Sequence, residues 1–243
     1  MNLVSLKGSG DVLVCLFPYA GGSASTYRPL SELFGPDVAV SAVQLPGRQD
    51  RWQEAPYRDF ATLVADLADE LAATTKPYVL MGHSMGAAVA HEVARELRAR
   101  HAREPALLAV SGAAAPGAIV GSFAAERFSD DELVEESREW VHLPPQVRES
   151  PELLELVLDA LRADLALADS YRHVPGPPLS CPISVFGGRA DPLAPEAALA
   201  SWTSLTSGRT VIRVYDGDHF FLFGREPEVV SAMLSDLRSG VTA

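Results

Sequence analysis

The chain has 243 residues, with 32 acidic and 20 basic side chains, so its formal net charge is −12 at pH 7. This length allows one large domain, or one domain that carries an insertion, and a core of that size folds without a metal or disulfide. The acidic balance argues against nucleic-acid binding, because there is no basic excess to displace counterions from phosphates.

The sequence also indicates the state of the cysteines and the compartment of the protein. The two cysteines, Cys15 and Cys181, lie in apolar runs, which predicts buried free thiols and not a disulfide framework. The first eleven residues lack the apolar stretch of a signal peptide, so we expect a cytoplasmic protein. Residues 105–125 carry no charge and are long enough to span a membrane, but their prolines and glycines favour a strand followed by a loop.

Short, continuous apolar runs alternate with helical patterns along the chain. Such runs are typical of strands covered on both faces, as in a parallel sheet. Strands are predicted at 12–17, 38–43, 78–82, 107–110, 183–186 and 211–215, and helices at 57–74, 85–100, 195–205 and 227–238. The alternation predicts an α/β fold with a mostly parallel central sheet flanked by helices.

The middle of the chain departs from this alternation. Two helices are predicted there, at 129–141 and 151–171, and no strand pattern separates them. We therefore predict a core formed by residues 1–116 and 179–243, and a helical lid insertion at 117–178 that ends in a proline-rich stretch. Insertions in this class of fold often cover an active site.

The most specific motif is Gly82-His83-Ser84-Met85-Gly86, which follows one predicted strand and opens a helix. This context is that of a G-x-S-x-G nucleophile elbow, where a tight turn presents the serine Oγ above the sheet. Glycines at both ends of the motif avoid collisions with the neighbouring strand and helix. The alternative is a tight turn with an incidental serine.

A serine nucleophile needs a base that is itself oriented by an acid. In this type of fold the acid and then the histidine follow the serine along the chain. Asp191 comes just after the strand 183–186, and His219 just after the strand 211–215. We therefore predict a catalytic triad of Ser84, Asp191 and His219.

The other histidines fit less well. His83 is expected to point away from the nucleophile as a packed neighbour, and His91 lies two turns along the helix. The remaining three are expected at the surface: His101, His142 and His173. Asp216 and Asp218 could suggest a metal site, but the chain lacks a second ligand set such as H-E-x-x-H, so no metal is predicted.

Cofactors and the oxyanion hole complete the prediction. The chain has neither a G-x-x-x-x-G-K-[ST] motif nor a G-x-G-x-x-G motif after the first predicted strand, so we expect no nucleotide cofactor. The backbone N–H of Met85, at a helix start, can face a developing oxyanion. The second donor is predicted in the loop 17–23, at Ala20 or its neighbour Tyr19; the alternative is a glycine turn leading into a helix.

At these residues the chain resembles a known family, the type II thioesterases that accompany polyketide synthases and nonribosomal peptide synthetases. The resemblance spans nearly the whole chain. It rests on Phe-Pro-Tyr-Ala-Gly-Gly-Ser-Ala at 17–24, Gln-Leu-Pro-Gly-Arg-Gln-Asp-Arg at 44–51, the Gly-His-Ser-Met-Gly motif, the segment 151–173, and Gly-Asp-His-Phe-Phe-Leu at 217–222.

The resemblance implies an α/β-hydrolase fold and hydrolysis of acyl groups from the phosphopantetheine arm of acyl or peptidyl carrier proteins. Such enzymes remove misprimed or stalled chains, need no cofactor of their own, and carry a mobile lid over the acyl pocket. One departure is that residues 141–146 lack the Gly-Gly turn expected there, which concerns the shape of the lid and the acyl preference.

Carrier proteins of these pathways are usually acidic, so docking to an acidic enzyme requires a local basic patch. The candidates are arginines in loop and lid segments, namely Arg28, Arg48, Arg51, Arg162 and Arg172. Three alternatives to a carrier-protein thioesterase stay open: a carboxylesterase acting on small esters, a cyclising thioesterase domain, and a non-catalytic acyl-binding module.

Overall fold

A twisted seven-stranded sheet forms the centre of the part of the chain that the computed structural model describes, which is residues 1–117, 128–136 and 149–241. The strand order is β1-β3-β2-β4-β5-β6-β7; β1 runs antiparallel to β3, and every other pair is parallel. The strands are β1 (Leu3–Lys7), β2 (Val12–Phe17), β3 (Val38–Val43), β4 (Tyr78–His83), β5 (Leu107–Ser111), β6 (Ile183–Gly188) and β7 (Thr210–Tyr215).

All six predicted strands are confirmed, and β1 was missed. The missed strand lies at the edge of the sheet, where none of its residues is fully buried. It therefore lacks the continuous apolar run that marks the central strands β4 and β5, which are buried along their whole length.

Helices connect the strands and cover both faces of the sheet. They are α1 (Arg28–Ser31), α2 (Phe60–Ala72), α3 (Met85–Ala99), α4 (Asp130–Glu136), α5 (Pro151–Ser170), α6 (Glu196–Leu199) and α7 (Glu226–Val241). The predicted helix at 57–74 begins later, at Phe60, because the Asp59 side chain caps it by accepting the Thr62 N–H at 2.8 Å. The predicted helix at 195–205 is one short α-helix followed by the 3₁₀ helix Ala200–Leu205.

Alternate residues of each strand pack into two separate apolar layers. In β2, Cys15 and Phe17 face the layer formed with α2 and α3, whereas Val14 and Leu16 face the layer formed with α7. Both cysteines are buried free thiols, as predicted. The covered faces explain why the strands read as continuous apolar runs.

Between β5 and β6, the helices α4 and α5 form a third, smaller apolar cluster. Leu133 of α4 packs there against Leu158, Leu161 and Leu165 of α5, together with Ala20 from the loop after β2. This contact places the middle segment beside the carboxyl ends of the strands. The division into a core and a lid insertion remains a prediction.

Five sequence predictions fall partly or wholly on residues 118–127 and 137–148, outside the described ranges. They are the second half of the loop predicted within 105–125, the end of the helix predicted at 129–141, the departure at 141–146, the surface position of His142, and part of the lid insertion at 117–178. Within the described part of the chain, no helix combines the length and the apolar character that crossing a membrane requires.

Candidate active site

Ser84 occupies the sharp turn between β4 and α3, with φ of 55° and ψ of −121°. A left-handed φ is uncommon for a residue with a side chain and stores strain in the backbone. The flanking glycines are needed sterically, since a Cβ at Gly82 would fall on the Gly86 carbonyl and one at Gly86 on the Phe17 carbonyl. The Ser84 N–H is bound by the Ser111 carbonyl at 2.8 Å, which ties the turn to the end of β5.

Asp191 and His219 come from the loops after the neighbouring strands β6 and β7. Backbone hydrogen bonds hold these two loops together, from the Arg189 N–H to the Tyr215 carbonyl at 2.8 Å and from the Ala190 N–H to the Gly217 carbonyl at 2.9 Å. As a result, Nδ1 of His219 lies 2.9 Å from Oδ2 of Asp191. The structure thus brings together the acid and the base of the predicted triad.

The Asp191 carboxylate is oriented from both sides. Its Oδ1 accepts the N–H groups of Leu193 at 2.9 Å and Ala194 at 3.1 Å. Burial by itself raises the pKa of Asp191, but the hydrogen bond and positive charge of His219, together with these two N–H groups, outweigh burial and hold the pKa below its usual value. Asp191 is therefore ionised at neutral pH and acts as an acceptor for the Nδ1–H of His219.

Ser84 and His219 line the same cavity, which has a volume of about 390 Å³. Within the described residues, Nε2 of His219 is buried and has no hydrogen-bond partner, so the Ser84–His219 hydrogen bond of the predicted triad is not formed in this conformation. Such bonds are often long in ligand-free enzymes and tighten when substrate binds. The acceptor position of Nε2 is thus unused in a residue that lines the cavity.

The predicted oxyanion donors, Met85 and Ala20, line this cavity together with Ser84. Met85 is the first residue of α3, where backbone N–H groups have no acceptor within the helix. The alternative donor Tyr19 is buried, and its ring packs edge-on against His83. Most of the cavity wall is apolar, and Tyr171, Arg172 and His173 add polar groups to one part of it.

The other histidines lie in different environments. The His83 side chain is a packed neighbour, as predicted, but it does not point away from the site, because its ring lies 5.1 Å from that of His219 between centroids, at a tilt of 41°. His101 is exposed and His91 is buried. The surface prediction is wrong for His173, which lines the cavity because Tyr171 and Glu92 hold it inward, and His142 lies outside the described residues.

Asp216 and Asp218 are committed to other contacts. Asp216 accepts a hydrogen bond from Arg189, and Asp218 accepts the backbone N–H of Phe220 at 2.8 Å. In the described ranges, no group of three or more histidine, cysteine or acidic side chains is arranged to hold a metal ion.

A buried ion pair beside the site was not anticipated. Arg48 makes a bidentate contact to Asp164 of α5, with both N–O distances at 2.6 Å. The prediction that Arg48 belongs to an exposed docking patch is therefore wrong, because its side chain is only 6% exposed. One signal could have revealed the pair: Asp164 lies on the apolar face of an amphipathic helix, between Leu161 and Leu165, and an acid in that position needs a buried partner.

The other predicted docking arginines differ in environment. Arg51 donates to Glu54, Asn2 and the Gln44 carbonyl, and Arg162 is paired with Asp130. Arg28 and Arg172 are exposed.

The sheet order, the strained serine turn and the acid and histidine after consecutive strands define an α/β-hydrolase fold. Among solved structures, the type II thioesterase BorB from the borrelidin biosynthetic cluster superposes with a TM-score of 0.88 at 34% identity, over 97% of each chain. A model of the thioesterase domain family matches residues 13–237. The chain belongs to this thioesterase family, whose activity is the hydrolysis of thioesters.

Two relatives in sequence support the same assignment. The gramicidin S biosynthesis protein GrsT of Aneurinibacillus migulanus is 34% identical over 93% of this chain and 88% of its own length. The thioesterase PikA5 of Streptomyces venezuelae is 40% identical over 86% of this chain and 75% of its own length. The family resemblance read from the motifs is thereby confirmed.

Proposed function

We propose that this protein hydrolyses acyl groups from the phosphopantetheine arm of acyl or peptidyl carrier proteins, and so removes misprimed or stalled chains in polyketide or nonribosomal peptide biosynthesis. The observation that carries the proposal is the strained Ser84 turn, which shares one cavity with His219, whose Nδ1 is paired with the buried Asp191. The relatives named for gramicidin S and borrelidin biosynthesis support the substrate class.

In the proposed acylation step, Nε2 of His219 accepts the Ser84 Oγ proton while Oγ attacks the thioester carbonyl carbon. The backbone N–H groups of Met85 and Ala20 stabilise the negative charge on the carbonyl oxygen. The C–S bond then breaks, and His219 returns the proton to the departing thiolate. Asp191 keeps the imidazole in the tautomer that can accept this proton.

In the deacylation step, His219 removes a proton from water, and the resulting hydroxide attacks the acyl–Ser84 ester. The same N–H groups stabilise the second oxyanion, and His219 protonates Ser84 Oγ as the free acid departs. Every proton transfer is made by the side chains of the triad, so the mechanism needs neither a metal nor a cofactor.

The apolar part of the cavity suits an acyl chain. Ala88, Ala113 and Leu165 line the same cavity as Ser84, and Leu193 contributes to its wall from the loop that holds Asp191. Small alanine side chains leave room for acyl groups of different shapes. Because thiolate is a good leaving group, such an enzyme can accept many acyl groups without binding each one tightly.

The test is a panel of carrier proteins loaded with different acyl groups, measured beside the matching acyl-N-acetylcysteamine thioesters and p-nitrophenyl esters. We expect the highest kcat/KM with acyl-carrier proteins and no turnover by Ser84→Ala. A fluorophosphonate should label wild-type protein at Ser84 and fail to label Ser84→Ala. A preference for small oxygen esters would instead identify a carboxylesterase, and absence of labelling would favour a non-catalytic acyl-binding protein.

Docking of the carrier is tested separately at Arg172, an exposed arginine that lines the cavity. Arg172→Glu should raise KM for acyl-carrier protein and leave KM for the small thioester unchanged, since only the carrier presents an acidic surface. Arg100→Glu is the matched control, because Arg100 is partly exposed at the far end of α3 and pairs with Glu96. Equal effects on both substrates would exclude Arg172 from docking.

A further inference from the structure

The ion pair between Arg48 and Asp164 joins two segments that are 116 residues apart in the chain. Arg48 lies in the loop after β3, and Asp164 lies in the second half of α5. Both side chains are buried, at 6% and 3% exposure, and the contact is bidentate. A bidentate contact of this kind fixes the relative orientation of the two side chains in addition to pairing their charges.

Both members of this pair also bind the loop that follows Ala20. The Gly21 N–H donates to Oδ2 of Asp164 at 2.7 Å, and Nη1 of Arg48 donates to the Gly22 carbonyl at 2.9 Å. Gly21 has a φ of 78°, and a Cβ at this position would lie 3.4 Å from Cδ1 of Leu161 in α5. The peptide group that follows Ala20 is therefore held by an acceptor, and the one that follows Gly22 is held by a donor. No apolar pair could replace these two contacts.

We infer that Arg48 and Asp164 are positioning residues for the oxyanion hole: they hold the backbone N–H of Ala20 toward the reacting carbonyl and make that orientation depend on the docking of α5. This inference rests on the proposed serine mechanism. Oxyanion donors stabilise a transition state only if they are oriented before the charge develops. A shift of α5 withdraws the carboxylate from Gly21 and releases the loop.

Stability alone does not account for the pair. Buried ion pairs contribute little net stability compared with well-packed apolar residues. Nε of Arg48 is also buried without a hydrogen-bond partner among the described residues, which adds a desolvation cost. The pair is better explained by the directional contacts that it makes to Gly21 and Gly22.

The inference is tested with Asp164→Asn and Arg48→Lys, which keep the approximate volume but lose the bidentate contact. Two quantities are measured: kcat and KM for an acyl-N-acetylcysteamine thioester, and the inhibition constant of an alkylboronic acid. Ser84 Oγ bonds to the trigonal boron while its proton passes to Nε2 of His219, and one hydroxyl oxygen of the tetrahedral boronate occupies the oxyanion position. We expect kcat to fall by roughly 10- to 100-fold, less than the full loss of a donor, while the boronate inhibition constant rises by a similar factor and KM changes little.

The matched control is Asp236→Asn, which breaks another bidentate pair in the same protein, to Arg213, with distances of 2.6 and 2.8 Å. Asp236 lies on α7 and contacts Ser184 of β6, away from the cavity. This variant should lose stability but keep kcat and boronate affinity. Arg48→Lys keeps the positive charge beside Asp164, so it supplies the measurement if Asp164→Asn fails to fold.

Two results can be told apart. If Ser84→Ala abolishes labelling and turnover but folded Asp164→Asn and Arg48→Lys match the Asp236→Asn control in kcat and boronate affinity, the positioning role is overturned and the proposed function stands. If Ser84→Ala retains full turnover, the serine mechanism itself fails.

Discussion

Nδ1 of His219 lies 2.9 Å from Oδ2 of Asp191, and neither side chain is more than 1% exposed. A buried carboxylate this close fixes the imidazole with its proton on Nδ1, which leaves Nε2 as the acceptor. The pair is a consequence of topology, because β6 and β7 are neighbours and their following loops are joined by backbone hydrogen bonds.

Replacing Asp191 with asparagine should lower kcat by roughly 10⁴-fold, because an amide stabilises the wrong tautomer of the histidine. The fold should persist, since the amide oxygen can still accept the N–H groups of Leu193 and Ala194. The measurement is turnover of an acyl-N-acetylcysteamine thioester. Asp216→Asn, at an exposed acid that pairs with Arg189, is the control and should keep full activity. Equal losses in both variants would contradict the role of Asp191.

Gly86→Ala should destabilise the protein by at least about 2 kcal/mol, because the new methyl group would overlap the Phe17 and Pro18 carbonyls and force α3 away from β2. Its free energy of unfolding can be measured with urea, together with the kcat of the folded fraction. Gly8→Ala is the control, since nothing lies within 4 Å of a Cβ at that position. Unchanged stability in Gly86→Ala would show that the elbow tolerates a larger residue.

Local sequence signals predicted the central sheet and the serine turn well. Central strands buried on both faces read as apolar runs, and the glycines around Ser84 are required by close backbone contacts. The edge strand β1 was missed because it is only partly buried. A continuous apolar run reflects burial on both faces of a strand, so this pattern is weaker in strands at the edge of the sheet.

Long-range polar pairs could not be derived in the same way. Because Asp164 lies on the apolar face of α5, the sequence indicates that it needs a partner, but it does not indicate which arginine is that partner. Arg48 was assigned to a docking patch because it is one of several arginines in loop and lid segments. Only the packing of α5 against the loop after β2 brings these charges together.

Glu92 should make stability depend on pH in the acidic range. It lies on α3 and accepts hydrogen bonds from the Tyr171 hydroxyl at 2.7 Å and from His91 and Arg95. Burial raises the pKa of Glu92, but these hydrogen bonds and the positive charges of His91 and Arg95 outweigh it and lower the pKa from 4.5 to about 2. The contribution of Glu92 is therefore complete above pH 4.5 and is lost as the pH falls toward 2.

Glu92→Gln should accordingly lower Tm at pH 7, and the difference from wild type should shrink between pH 5 and pH 2. Thermal unfolding followed by circular dichroism measures both. Glu96→Gln, four residues further along α3 and paired with partly exposed Arg100, is the control and should change Tm little at any pH. A difference that stays constant with pH would show that Glu92 acts through packing and not through its charge.

His83 should make stability depend on pH near neutrality. Burial, and secondarily the charge of His219, holds the pKa of the His83 imidazole well below its usual 6.5. The unfolded chain therefore takes up a proton below pH 6.5 that the folded chain does not, so stability decreases as the pH falls from 7 to 5, by at most about 1.4 kcal/mol per pH unit. His83→Gln removes this site and can keep a hydrogen bond to the Ser111 hydroxyl, which now lies 3.1 Å from Nδ1. Urea unfolding at pH 5, 6 and 7 should show a shallower dependence in this variant than in wild type, whereas parallel dependences would mean that His83 takes up its proton equally in the folded and unfolded chains.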